Sequence, residues 1–255
     1  MLKAIIFDMD GVIFDSEQAI IDCYYPVAEA YGIKDVLPQC LKCIGITEEE
    51  CTAVFQAAYG ADFPYKKMRG EVNALYRTLC DEGRLPVKEG AAELLQYLKA
   101  HGLRLALASS GKIEHVRRLL GNAGFLDYFD VVIGGDMVSR GKPEPDVFLK
   151  ALEELNLCVT TANKEASQPL ESNNEASQPF ENKTGLRQEE PLQPDECLVI
   201  EDSYNGVRAA YTARIPVIMV PDLLPPTDEC KEKAQKIFRS LTEVKTWMES
   251  NTAGE

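Results

Sequence analysis

Short apolar runs alternate with longer amphipathic stretches along most of this chain. Ala4–Phe7, Leu103–Ala108, Val131–Ile133, Cys197–Ile200 and Val217–Val220 are apolar nearly throughout and too short for helices. Such runs predict strands covered on both faces, as in a parallel sheet. Between them, Gly90–Ala100, Ile113–Leu120, Pro145–Leu155 and Ser203–Ala213 carry apolar residues at helical spacing. Strand and helix in alternation predict βαβ units, hence an α/β fold with a Rossmann-like open parallel sheet core.

Two stretches break the alternation. From Ser16 to Gly83 the periodicity is helical and no strand is evident, over a length too great for a connecting loop. The pattern predicts a core from 1–15, an inserted helical cap domain from 16–84 and a return to the core from 85–250. The second break, 158–193, contains an imperfect repeat, NKEASQPLES followed by NNEASQPFEN. Two short copies cannot stack into a solenoid, and the polar composition predicts a disordered surface excursion. The alternative for this insert is a docking segment for a partner.

Composition narrows the partners. The 255 residues carry a formal net charge of −14, a field that repels nucleic acid and anionic lipid and argues against both. It also repels phosphorylated metabolites, so a phosphate site would need local positive charge. The N-terminal apolar run ends in acid after four residues, unlike a signal peptide, and no stretch has the length of a membrane span. Eight cysteines without a secretory segment predict reduced thiols and a cytoplasmic protein. Cys40 and Cys43 form a Cys-x-x-Cys pair near Cys51, but no histidine is nearby to complete a zinc site. Helix-face cysteines are the expectation. His101 and His115 are expected on helix surfaces away from the chemistry. Nothing in the sequence fixes an oligomeric state.

The candidate chemistry lies where apolar runs end. Asp8 and Asp10 follow the first strand, and residues i and i+2 of an extended segment point the same way. Glu201 and Asp202 follow another, at the sheet edge where open α/β folds place ligands. Four carboxylates there would repel one another unless protonated or joined by a cation. A hard divalent ion with oxygen ligands resolves the conflict, and Mg²⁺ is usual in phosphate chemistry. Ser109 and Ser110 end a third strand, where hydroxyls and amides at a helix start suit a phosphate oxygen and equally suit a helix cap. Lys142, in Gly141-Lys142-Pro143-Glu144-Pro145, supplies the cation that an acidic site needs for a phosphate dianion. Gly135 to Lys142 does not fit an ATP-binding loop, because its spacing is long and Pro143 replaces the metal-binding hydroxyl.

DMDGVIFDS, ASSGK, GKPEPD and VIEDSYNGV, in that order, resemble the four signature motifs of the haloacid dehalogenase superfamily. The helical insertion after the first motif resembles the group that includes β-phosphoglucomutase-like phosphatases. The resemblance implies that Asp8 is the nucleophile and Asp10 the acid and base. It further implies that Mg²⁺ is held by Asp8, the Asp10 carbonyl and Asp202, with Glu201 acting through water. Ser109, Ser110 and Lys142 would then hold the phosphoryl oxygens. The implied activity is Mg-dependent hydrolysis of a small phosphorylated metabolite, such as a sugar phosphate, through an aspartyl phosphate.

The alternative is a β-phosphoglucomutase-type mutase. Similar mutases carry a hinge histidine where this chain has Ile20, and an arginine just beyond a cap glycine. Here Gly45 is followed by Ile46, Thr47 and Glu48, and a glutamate would repel a second phosphate, with Lys42 as partial compensation. The departures favour hydrolysis, with Gly45 to Glu48 as the expected specificity loop of the cap.

Overall fold

The computed structural model describes residues 1–166 and 190–252. Its centre is a parallel sheet of six strands: β1 (Ala4–Phe7), β2 (Arg104–Ala108), β3 (Val131–Ile133), β4 (Cys197–Glu201), β5 (Val217–Met219) and β6 (Lys236–Ile237), in the order β3-β2-β1-β4-β5-β6. This is the Rossmann-like strand order, and the expected fold class is what the chain adopts. The continuous apolar character of β1 follows from its two covered faces. Ile5 and Phe7 pack toward α5 (Ala91–Ala100), α6 (Ile113–Asn122) and α10 (Leu241–Thr252), while Ala4 and Ile6 pack toward α7 (Asp146–Ala166) and α8 (Tyr204–Thr212). β6 left no trace in the hydrophobic pattern because it is two residues long.

Register brings the strand ends to one level. Phe7 pairs with Leu107 on one side and Ile200 on the other, and the Asp8 amide donates to the Ile200 carbonyl at 2.9 Å. The loops after β1, β2 and β4 therefore open onto a common edge.

After β1 the chain leaves the sheet through α1 (Ser16–Ala30), α2 (Leu37–Lys42), α3 (Glu48–Tyr59) and α4 (Tyr65–Asp81). These helices enclose a core of their own around Tyr24, Phe55, Tyr65 and Met68, with the Phe55 and Tyr65 rings 4.6 Å apart. Outgoing and returning segments run side by side. Phe14 bridges Val87, the Asp15 amide donates to the Pro86 carbonyl at 2.8 Å, and the Lys88 amide donates to the Ile13 carbonyl at 2.9 Å. The Lys88 amine joins Asp15, at 3.3 Å, to Asp222 in the loop after β5, at 2.6 Å.

Cys40 and Cys51 are buried in the helical core and Cys43 is half-buried. Burial pushes the Cys40 and Cys43 thiols up to about 12, which leaves them unreactive. At the ends of the stretch expected as an excursion, 158–193, α7 continues through Ala166, and Leu192 is buried in the core. The first four residues of the repeat, 163–166, close α7, and the rest of it, 167–182, lies outside the described residues. No helix among the described residues is long and apolar enough to cross a membrane.

Candidate active site

At the common edge of the sheet, acids from two strand ends meet one amine. Asp8, Glu201 and Asp202 each offer a carboxylate oxygen, and these oxygens all lie within 4.8 Å of one another. The Lys142 amine, on the loop entering α7, donates to Asp8 Oδ1 at 2.5 Å and to Glu201 Oε1 at 2.6 Å. Its position is further fixed above the Phe148 ring, at 4.9 Å. All of this is enclosed: the Lys142, Asp8 and Glu201 side chains are 6%, 9% and 0% exposed.

The protonation pattern follows from burial and from carboxylates outnumbering the amine. Burial pushes the Asp8 carboxyl up to about 7 against the pull of Lys142, and Glu201 and Asp10 add to the rise. Burial likewise raises Asp202, reinforced by Glu201 and Asp8. Asp10 is also raised, chiefly by burial, with Lys142 pulling the other way. His115 contributes to that pull. It is half-buried on α6, in hydrogen-bond contact with Arg118 at 3.0 Å. A donor set of hard oxygens with surplus negative charge fits Mg²⁺. Asp8 and Asp202 would hold the ion directly.

Glu201 has a second task. Its Oε2 accepts from the Asp202 and Ser203 amides, both at 2.8 Å, and from the Ser203 hydroxyl at 3.0 Å. With Oε1 on Lys142, this carboxylate organises the loop and the amine, and offers a metal little more than the remaining lone pair of Oε1. Space for it comes from Gly206, where a Cβ would lie 1.6 Å from Glu201 Oε1. The first loop has the matching feature: Gly11 adopts φ +74°, and a Cβ there would lie 2.3 Å from Asp202 Oδ2.

The two serines divide. Ser109 is fully buried, and its Oγ accepts the Gly111 amide at 3.0 Å, closing a turn ahead of α6, whose N-cap is Lys112. Ser110 is exposed and lines a cavity of about 500 Å³ together with Lys142 and Asp202. The helical unit contributes Ile44, Gly45 and Ile46 to the same lining. Thr47 and Glu48 are not part of it. Thr47 caps α3 by accepting the Glu50 amide, and Glu48 is an exposed first-turn residue 4.0 Å from Lys66.

Glu17, Tyr204, Asn205, Arg208, Asp222 and Leu223 also line the cavity, and sequence reasoning passed over all of them. Asp222 had a legible signal, since it follows β5 closely as Asp202 follows β4. Arg208 and Asn205 had a weaker one, their place in the first turns of α8 directly after the acidic pair.

A model of the family described as haloacid dehalogenase-like hydrolase matches residues 5–163. A phosphorylated carbohydrates phosphatase of Thermotoga maritima is 28% identical over 84% of this chain and 82% of its own length. A validoxylamine A 7'-phosphate phosphatase of Streptomyces hygroscopicus subsp. limoneus is 26% identical over 96% of this chain and 97% of its own. Among solved structures, a candidate β-phosphoglucomutase of Thermotoga maritima superposes with a TM-score of 0.71 at 26% identity, over 98% of this chain and 99% of that one. With the family model spanning most of the chain and the acidic cluster on the strand ends where that fold keeps its chemistry, this chain belongs to the haloacid dehalogenase-like hydrolases.

Proposed function

We propose that this phosphoric monoester hydrolase removes phosphate from a small phosphorylated metabolite, a sugar phosphate being the model substrate, through a phosphorylated Asp8 and with Mg²⁺ as cofactor. The observation that carries the reading is the convergence of Asp8, Glu201 and Asp202 within 4.8 Å around the buried amine of Lys142. Two relatives of similar length are named as phosphatases of phosphorylated carbohydrates and of validoxylamine A 7'-phosphate, which supports the substrate class.

In this reading an Asp8 oxygen attacks phosphorus, and the bond to the leaving oxygen breaks. Asp10, whose carboxyl burial raises above its ordinary range, gives its proton to the departing alkoxide. The resulting Asp10 carboxylate then takes a proton from water as that water attacks the aspartyl phosphate, releasing inorganic phosphate and restoring Asp8. Lys142 balances the negative charge on the phosphoryl oxygens, and Ser110 offers its hydroxyl from the cavity wall. Bound Mg²⁺ supplies charge stabilisation for the group in transfer. The α1–α4 unit acts as the cap over the site.

The mutase alternative is the weaker reading. Ile20 stands where a hinge histidine is expected, and Ile44, Gly45 and Ile46 bring no cation to the cavity. A panel of phosphorylated metabolites, assayed for phosphate release with Mg²⁺ and with chelator, tests the proposal, with Asp8→Asn as the blank. Turnover by Asp8→Asn at the parent rate would end the covalent route. Glucose 6-phosphate formed from β-glucose 1-phosphate and a bisphosphate primer, without matching phosphate release, would favour the mutase.

A further inference from the structure

One wall of the cavity is polar and plays no part in the steps above. It is the start of α8, where Tyr204, Asn205 and Arg208 line the same space as Ser110, Lys142 and Asp202. The Tyr204 hydroxyl is committed to the Pro225 carbonyl at 2.6 Å. Arg208 is only partly committed. Its Nε donates to both carboxylate oxygens of Glu229, at 2.9 and 3.0 Å. Its Nη2 donates to Glu229 Oε2 at 2.5 Å, and its Nη1 to Asn205 Oδ1 at 3.1 Å. These bonds use one N–H on each of three nitrogens. A guanidinium has five, so five less three leaves two N–H groups without a partner among the described residues.

The guanidinium is therefore fixed before any ligand arrives. Glu229 holds it across to α9 (Asp228–Lys233) and is itself held by Lys233 at 2.5 Å. A preorganised planar donor loses little freedom on binding and selects ligands by geometry. The other cation on the lining, Lys142, is engaged with Asp8 and Glu201. Glu17 adds negative charge to the same lining, and Asp222 there is already paired with Lys88, so the lining opposes a second dianion and favours neutral oxygen. We propose that Arg208 is a specificity residue, its two uncommitted N–H groups donating to a hydroxyl, ether or carbonyl oxygen on the alcohol half of the substrate. The substrate class so defined is an oxygen-rich monophosphate. This inference rests on the phosphatase reading and refines it.

The test compares Arg208→Met with the parent enzyme, measuring kcat and KM on phenyl phosphate and on β-glucose 1-phosphate and glucose 6-phosphate. Phenyl phosphate carries no further oxygen on its alcohol half. Loss of donor bonds to substrate is expected to lower kcat/KM on the sugar phosphates about 10- to 50-fold, mostly through KM. On phenyl phosphate the change should stay within about twofold. Glu229→Gln, which loosens Arg208 without removing it, should give a smaller loss with the same selectivity, and it serves as the readout if Arg208→Met fails to fold. Equal losses on both substrate types, or none on either, would overturn the assignment of Arg208 alone. Absence of phosphate release by the parent enzyme from every compound tested would instead remove the phosphatase reading beneath it.

Discussion

The Lys142 amine lies 2.5 Å from Asp8 Oδ1, with 6% and 9% of the two side chains exposed. An ion pair so enclosed keeps its strength because water does not screen it. In the proposed reaction the same amine faces the charge that builds on the phosphoryl oxygens. Lys142→Met should lower kcat by about 10²- to 10³-fold in the presence of Mg²⁺, as for loss of an electrostatic stabiliser. Steady-state phosphate release measures this, and a rate within threefold of the parent would contradict the role.

Stability of the metal-free protein should depend on pH in a direction set by the acidic cluster. Asp8 rises from 3.8 to about 7 on folding, and Asp10 and Asp202 rise as well. The folded state thus binds these protons more tightly than the unfolded chain. Their contribution is full below the ordinary carboxylate range and is lost as pH climbs toward 7. In chelator, the Tm should be lower at pH 7.5 than at pH 5. Added Mg²⁺ should recover most of the difference at pH 7.5, because the cation takes the place of the protons. A metal-free Tm that rises across this interval would refute the account.

Asp10 is assigned the proton of the leaving group, so its importance should track how much the leaving group needs one. Asp10→Asn should cost about 10²- to 10⁴-fold in kcat on an alkyl phosphate. On p-nitrophenyl phosphate, whose leaving group departs as a stable anion, the loss should be at least about tenfold smaller. Equal losses on the two substrates would remove Asp10 from the acid role.

Glu48, expected within the specificity loop Gly45 to Glu48, lies at the exposed start of α3, outside the cavity lining. Glu48→Gln should leave kcat/KM within about twofold of the parent on any substrate, as for an exposed charge away from the reacting groups. A gain of activity toward a bisphosphate would show that this charge acts on the site after all.

Much of this was legible because the physics that marks a buried parallel strand also marks its end. A continuous apolar run followed at once by acid announced Asp8, Asp10, Glu201 and Asp202 as a set, and Lys142 stood out as the cation such a set requires. The division of labour was not legible. Nothing in the order of residues says that Glu201 turns one oxygen to its own loop, or that Ser109 is buried in its own turn while Ser110 faces the cavity. These depend on a few ångströms of packing. Arg208 escaped because a single charged residue on a helix usually faces solvent, and only the fold brings it beside the acidic cluster.

The glycines of the two acidic motifs carry a consequence for anyone exchanging loops among related chains. Gly11 belongs to the first motif but makes room for Asp202 of the last, and Gly206 makes room for Glu201. Each acid sits in a hollow that exists only because a methyl group is missing. A transplanted loop that kept every carboxylate but replaced either glycine would evict an acid from its seat, so these segments are interchangeable only as matched sets.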